Sequence, residues 1–343
     1  MQFLSKIKGK KTFTVICMFI MVIPTTTIIL TTSNNPVYGQ HDNTTLNVTY
    51  SSTIQNIPLK KVHVGDINIA YKMLGKGDPI LLYNGASDGM YAWDPSFPLT
   101  LSSNHTVIAF DSRGLGNTTM GSKPYTYQQL AIDAAGLLDA LKIPKADVMG
   151  YSLGSYIAQQ ITIMYPDKVN TLTLVGSSCG GKDHTPKPAE FLKLQAEVVN
   201  KSLNNVSVSQ EEMKELVSAS VGSGWIRLHP EAIENIPTLQ EAKPGLSPEA
   251  MNNQNNVGKH WEDNPNWSGA CDALAKLAKP TLVITGTDDN RYQPHVNSLK
   301  IVEKIPEAWL VQIKNAGHAV MDQYPEEMGK IMNTFLSTTT QTN

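Results

Sequence analysis

Apolar residues along this chain follow two spacings that take turns. From residue 59 onward, short runs rich in β-branched and large apolar side chains alternate with longer stretches whose apolar positions recur every three to four residues. Residues 59–64 and 67–74 read as an opening hairpin turned at Gly65-Asp66. Residues 80–83, 106–110, 146–149 and 171–175 are continuous apolar runs, the pattern of strands covered on both faces. Between two of them, Tyr127, Leu130, Ala131, Ala134, Leu137, Leu138 and Leu141 keep one helical face. Thr126 and Gln129 propose a capping box at its start, and Pro144 ends it. Such alternation predicts an α/β fold with a mostly parallel central sheet flanked by helices.

After Gly180-Gly181 the alternation stops, and what replaces it is helical. Residues 191–203 form one helix, Ser209 with Glu212 caps a second, and Ser247-Pro248-Glu249 opens a third. Strand patterns return at 281–285 and 309–313, with helices at 295–305 and 326–336. The expected organisation is a core of residues 59–181 and 275–338, with a helical cap of residues 182–274 inserted after the sixth strand. Residues 40–58, rich in Asn, Thr and Ser, read as a linker.

The amino terminus changes the picture of where the protein works. Lys6, Lys8, Lys10 and Lys11 precede an apolar run over 13–30, with no acidic residue before Asp42. That is the layout of an export segment over residues 1–39: a signal cut after Gly39, or a retained membrane anchor. Both take the body out of the cytoplasm, and a membrane contact is expected only through this segment. Acceptor triplets for N-glycosylation at Asn43, Asn47, Asn104, Asn117, Asn200, Asn205 and Asn266 agree with export but do not establish it. Of three cysteines, Cys17 lies in the leader; Cys179 and Cys271 are left either as a disulfide or as two buried thiols. With 41% hydrophobic and 17% charged residues and a net charge of −2, the body is globular. It carries no Lys/Arg cluster for a nucleic acid.

The chemistry is concentrated in Gly150-Tyr151-Ser152-Leu153-Gly154. A strand runs into this Gly-x-Ser-x-Gly and a helical pattern follows at once. The serine is then lifted above the sheet at a helix amino terminus, where peptide dipoles favour developing negative charge. A serine hydroxyl needs a base held by an acid. Both occur just past later strands: Gly286-Thr287-Asp288-Asp289 and Gly317-His318. The carboxyl edge of a parallel sheet is where such folds put their sites. The other histidines, His41, His63, His105, His184, His229, His260 and His295, read as surface or structural. No His-x-x-x-His, Cys-x-x-Cys or P-loop spacing points to a metal or nucleotide cofactor.

These segments, with Asp111, Arg113, Gly114 and Gly116 after the fourth strand, resemble the α/β-hydrolase superfamily in its helical-capped branch, over residues 59 to 338. The resemblance implies Ser152 as nucleophile, His318 as base and Asp289 as acid, because the family's acid is the fourth residue of Gly-x-x-Asp. It leaves Asp288 as a solvated or helix-capping carboxylate. It implies an oxyanion hole from the Ala86 and Leu153 backbone N–H groups. One departure stands out: the family's usual His-Gly after the third strand reads Asn84-Gly85-Ala86 here. In this the chain is similar to a sub-branch with enol-lactonase-like and methylesterase-like members. Asp111 and Arg113 are expected to be structural, through an Arg–carboxylate contact, and Cys179 to be catalytically inert.

The function expected is an exported serine esterase or lactonase acting on a small-molecule substrate. Peptidase or cofactor-free perhydrolase chemistry on the same triad is the alternative. A catalytically silent binding protein on this scaffold is another, and it would be expected to have lost a triad member. Relatives of this fold that cleave haloalkanes or epoxides use an aspartate nucleophile, which Ser152 argues against. Trp225, Trp261 and Trp267 in the cap fit an apolar acyl or alcohol pocket, or else the cap's own packing.

Overall fold

Branched Cβ atoms crowd a helix but sit well on a pleated sheet, so the Val- and Ile-rich runs become strands. The computed structural model describes residues 57–204, 206–233, 248–290, 292 and 294–340. Its strands are β1 (Lys60–Val64), β2 (Ile67–Leu74), β3 (Asp78–Tyr83), β4 (His105–Phe110), β5 (Ala146–Tyr151), β6 (Val169–Val175), β7 (Thr281–Gly286) and β8 (Trp309–Ile313). They form one sheet in the order β1-β2-β4-β3-β5-β6-β7-β8. β1–β2 and β2–β4 are antiparallel, and every pairing from β4 to β8 is parallel. The chain leaves β3 toward β4 on one side and returns to β5 on the other. The crevice this reversal opens lies at the carboxyl ends of β3 and β5.

Three helices of the first half cover the sheet: α1 (Ser96–Ser102), α2 (Tyr127–Ala140) and α3 (Leu153–Met164). Thr126 Oγ1 accepts from the Gln129 amide at 3.1 Å, but the Gln129 side chain donates to Asp133 instead of returning to the cap, so only half of the expected capping box forms. Next come α4 (Ala189–Leu203), α5 (Gln210–Val221), α6 (Ser223–Leu228) and α7 (Pro248–Glu262), and then α8 (Cys271–Leu277). Ser209 and Glu212 make the complete reciprocal box at α5. The core ends with α9 (Val296–Lys304), α10 (Val320–Gln323) and α11 (Pro325–Thr340).

Successive strand residues point to opposite faces, and each face has its own core. Leu81, Ile108, Val148, Leu172 and Val283 pack on one side with apolar residues of α2 and α3, while Ile80, Leu82, Val107, Met149 and Ile284 pack on the other with α1 and α11. This double covering explains the uninterrupted apolar runs. The insertion between β6 and β7 has a third cluster around Phe191, Met213, Leu216, Val217 and Trp225. The helix that follows, α8, packs on α3 and α9.

Cys179 and Cys271 are joined in a disulfide across 92 residues of sequence, which decides between the two alternatives left open above. The bond ties the loop after β6 to the first residue of α8, and the whole insertion lies between its ends. The expected export segment, most of the linker, Ser247 and the triplet at Asn205 fall outside the described residues. Among the described residues, no helix is long and apolar enough to cross a membrane.

One buried acid lies far from the carboxyl edge. Asp147, the second residue of β5, is 7% exposed and accepts from Thr171 Oγ1 at 2.8 Å. Burial pushes its carboxyl up to about 6, against the opposing bond from Thr171. A raised carboxyl favours the protonated folded form. Its contribution is therefore full below the unfolded value of about 3.9 and is lost as pH rises through 6. Asp147→Asn keeps an acceptor for Thr171 and removes the cost of ionisation. Chemical denaturation should find this variant about 1–3 kcal/mol more stable than the parent at pH 8, with no difference near pH 3.5.

Candidate active site

Ser152 lies between β5 and α3 with φ 54° and ψ −120°, a conformation that L-residues avoid. The turn is that sharp because both flanking glycines sit against backbone. A Cβ at Gly150 would lie 2.2 Å from the Gly154 carbonyl oxygen, and one at Gly154 would lie 2.2 Å from that of Tyr83. The Ser152 amide donates to the Val175 carbonyl at 2.9 Å, fixing the elbow to the end of β6.

His318 follows β8 and Asp289 follows β7, and both are buried. His318 Nδ1 lies 2.6 Å from Asp289 Oδ2. A carboxylate only accepts, so Nδ1 carries the proton and Nε2 has its lone pair free. His318 Nε2 is buried and has no hydrogen-bond partner among the described residues. The imidazole lies between two tyrosines, stacked on Tyr151 at 5.4 Å and on Tyr292 at 5.6 Å. The Tyr151 hydroxyl also donates to the His318 carbonyl at 3.0 Å. The far side is closed by Gly176, next to Val175, where a Cβ would come within 2.8 Å of His318 Cε1. Thus the serine and the histidine meet the same end of β6.

Asp288 faces elsewhere. Its Oδ2 accepts from the Gly224 amide at 2.6 Å, in the first turn of α6, so it caps a helix of the insertion from the core. Of the two expected roles, this is the helix-capping one. The same insertion presses on the histidine loop: a Cβ at Gly317 would lie 2.3 Å from the Ser220 carbonyl, and the Ala319 amide donates to that carbonyl.

The loop after β3 is held by its own side chains. Asn84 Oδ1 accepts from the Gly85 amide at 2.8 Å and Nδ2 donates to the Gly89 carbonyl at 3.2 Å. The asparagine that departs from the family pattern therefore braces this loop. Asp111 binds its other end, accepting from the Met90 and Asn117 amides at 2.8 Å each. Burial holds the Asp111 carboxyl above its ordinary value despite those bonds. Arg113 does not pair with Asp111. All five of its N–H donors are used on Asp133, Asp66 and the Met120 carbonyl, at 2.7–3.0 Å. Both residues are structural, as expected, and the carboxylates on Arg113 are Asp66 and Asp133.

A cavity of about 410 Å³ opens between sheet and insertion, and Ala86, Ser152 and Leu153 line its floor. None of the three tryptophans borders it. Trp261 is buried, stacked on Tyr156 at 5.2 Å with Nε1 donating to the Ser178 carbonyl. Trp267 packs on Trp261 and Tyr127, and Trp225 stacks on His229 in the cap cluster. They hold the insertion together and fix it to the core, which removes them as an acyl pocket. Among the histidines set aside, His184 does border the cavity, bound to Ser178 Oγ at 2.9 Å. Burial lowers its pKa.

Several contributors carry no signal in the sequence. Gln254 of α7 is buried, lines the cavity and accepts from the Ser87 amide, so the insertion grips the loop beside Ala86. Lys187 donates to both oxygens of Glu262 at 3.2 and 3.0 Å, and Tyr156 donates to the same carboxylate at 2.7 Å. Burial alone would raise Glu262, but Lys187, with His184 and Tyr156, holds it below its ordinary value. Among the described residues, no group of three or more His, Cys, Asp or Glu is arranged to hold a metal ion.

Comparison with known proteins follows the same lines. A 2-hydroxy-6-oxo-6-phenylhexa-2,4-dienoate hydrolase of Comamonas testosteroni is 24% identical over 304 residues, which cover 84% of this chain and 98% of that protein. A pyrrolizixenacetamide deacetylase of Xenorhabdus hominickii is 24% identical over 296 residues, covering 81% and 98%. A solved structure of a thermophilic esterase from Thermogutta terrifontis matches with a TM-score of 0.64 and 24% identity, over 82% of this chain and 99% of that one; this likeness speaks for the fold. The family model described as alpha/beta hydrolase fold matches residues 78–325. With that match over most of its length, the chain belongs to the α/β-hydrolase family, and its chemistry is that of a hydrolase.

Proposed function

We propose that the protein is an exported serine hydrolase that cleaves carboxylic esters or lactones through an acyl-enzyme on Ser152. The observation that carries the reading is the buried His318–Asp289 pair, whose remaining nitrogen, Nε2, has no hydrogen-bond partner among the described residues, at the end of β6 to which the Ser152 elbow is tied. In the proposed cycle, Nε2 takes the Ser152 proton as Oγ attacks the acyl carbon. The Ala86 and Leu153 N–H groups stabilise the oxyanion. The C–O bond then breaks, and His318 returns the proton to the leaving alcohol oxygen. Water, deprotonated by the same nitrogen, releases the acid and restores the serine. Asp289 offsets the imidazolium charge, and the electron-rich faces of Tyr151 and Tyr292 favour it further. Export is supported by the basic and apolar leader, by the disulfide, which belongs to oxidising compartments, and by glycosylation triplets whose acceptor asparagines, Asn104, Asn117, Asn200 and Asn266, are exposed.

A fluorophosphonate probe should label the purified protein once, at Ser152. Ser152→Ala should abolish both labelling and ester turnover while circular dichroism stays unchanged; stoichiometric labelling of that variant would overturn the nucleophile.

The adjacent acids should separate cleanly in turnover. Asp289→Asn is expected to lower kcat by about 10⁴-fold, the scale seen when trypsin-like triads lose this group. Asp288→Ala removes a helix cap, so it should cost about 1 kcal/mol of stability and only a few-fold in rate. The opposite ranking of the two rates would assign the acid to Asp288.

Expressed in a host with a functioning secretion pathway, the protein should leave the cytoplasm. Amino-terminal sequencing should read from Gln40 if the leader is cut, or the product should sediment with membranes if it is kept. Peptide mapping should recover Cys179 linked to Cys271. An intact, reduced protein in the cytoplasm would refute export.

A further inference from the structure

The loop that carries Ala86 is a tight turn with an unfavourable residue in it. The Asp88 amide donates to the Gly85 carbonyl at 3.3 Å, which closes a four-residue turn. Of its two central residues, Ala86 and Ser87, only Ser87 has a positive φ, 65°. That combination is a type II turn, whose third position ordinarily takes glycine or asparagine. A serine there favours the type I alternative, with φ of about −90° at the same position. The two forms differ by a flip of the peptide between Ala86 and Ser87.

The turn lies against the nucleophile, since a Cβ at Gly85 would be 3.6 Å from Ser152 Cβ. The ends of its loop are held by Asn84 on the Gly85 amide and Asp111 on the Met90 amide. Its middle is held from the cap. Gln254 of α7 is buried, lines the cavity with Ala86 and Ser152, and accepts from the Ser87 amide through Oε1. In a trans peptide the carbonyl points opposite to the N–H, so the Ala86 carbonyl is turned away from Gln254. A flip would aim that oxygen at the cavity wall, where it would repel charge developing on a substrate oxygen. The helix is anchored where it makes this contact. Tyr156 of α3 donates to Glu262 at 2.7 Å, and a Cβ at Gly258 would lie 3.8 Å from Leu153 Cδ1. One cap helix thus meets Leu153 and the peptide that follows Ala86.

We propose that Gln254 is a positioning residue for acyl transfer, whose bond to the Ser87 amide holds the Gly85–Asp88 turn in the form that an oxyanion tolerates. This rests on Ser152 as nucleophile and Ala86 as oxyanion donor, and it makes the oxyanion hole depend on the docked cap. Gln254 takes no part in bond making.

Gln254→Leu removes the acceptor and keeps the bulk. With p-nitrophenyl butyrate its kcat should fall by about tenfold or more, while KM changes by less than about threefold. Phosphonate labelling of Ser152 should slow by a similar factor and still reach one label per chain. Ser87→Gly supplies the residue that the turn demands, so adding it to Gln254→Leu should restore most of kcat. Gln254→Met should behave like the leucine variant and stands in if that one does not fold. Parental kcat in the folded variant, a change confined to KM, or a loss that Ser87→Gly leaves unrepaired would overturn the assignment. Absence of ester turnover and of Ser152 labelling in the folded parent would instead overturn the nucleophile, and this proposal with it.

Discussion

Everything at the site depends on one backbone contact, that of Gly154 with the end of β3. A methyl group there would collide with both the Tyr83 and Asn84 carbonyl oxygens. Because no side chain intervenes, the first turn of α3 lies directly on the strand that feeds the Asn84–Ala86 loop. The nucleophile candidate and the loop expected to supply an oxyanion donor are thereby set side by side by packing of the main chain. The positive φ of Ser152 costs about 1–3 kcal/mol, and the surrounding bonds to Val175 and Ser155 hold it in place.

Around that contact, buried polar groups fix loops that hydrophobic packing cannot. Asp111 joins the loop after β3 to the one after β4, and Arg113 joins the β1–β2 turn, through Asp66, to α2, through Asp133. Hydrogen bonds from Arg113 hold Asp66 well below the usual carboxylate range. Every donor of the guanidinium is satisfied, which is the condition for keeping such a charge inside a protein. The insertion is secured by three different chemistries: a disulfide at its base, the Asp288 carboxylate on α6, and the Gln254 amide on the loop at Ser87.

What the sequence makes legible is what depends on neighbours along the chain. All eight strands and the elbow can be read from local pattern, because strand burial and a tight turn impose residue types over a few positions. The choice of Asp289 over Asp288 came only through family resemblance; geometry now gives each acid a separate partner. Contacts between the insertion and the core were invisible. Nothing near Tyr292 marks it as a ring stacked on His318, and nothing near Gln254 marks it as a partner of the Ser87 amide. The tryptophans misled for the same reason: large rings are placed by docking, and here they pack within the insertion and against Tyr127 and Tyr156 of the core. The half-formed capping box at Thr126 shows a local signal losing to tertiary context, since Asp133, held by Arg113, attracts the Gln129 side chain.

The same division shapes the cavity. Its floor is set by strand ends and glycine contacts, which leave little freedom to change without losing the elbow. Its roof comes from helices whose cavity-facing positions are not demanded by the sheet. On α7 those positions include Gln254, Asn255, Lys259 and Glu262, so one wall is polar, while α4 presents an apolar wall broken at Gln195. A plain alkyl chain would leave the polar wall unmatched. A two-sided cavity of this kind offers apolar contacts from one helix and polar ones from the other. Away from Gln254, selection of the substrate can therefore change through the roof while the chemistry below it stays fixed.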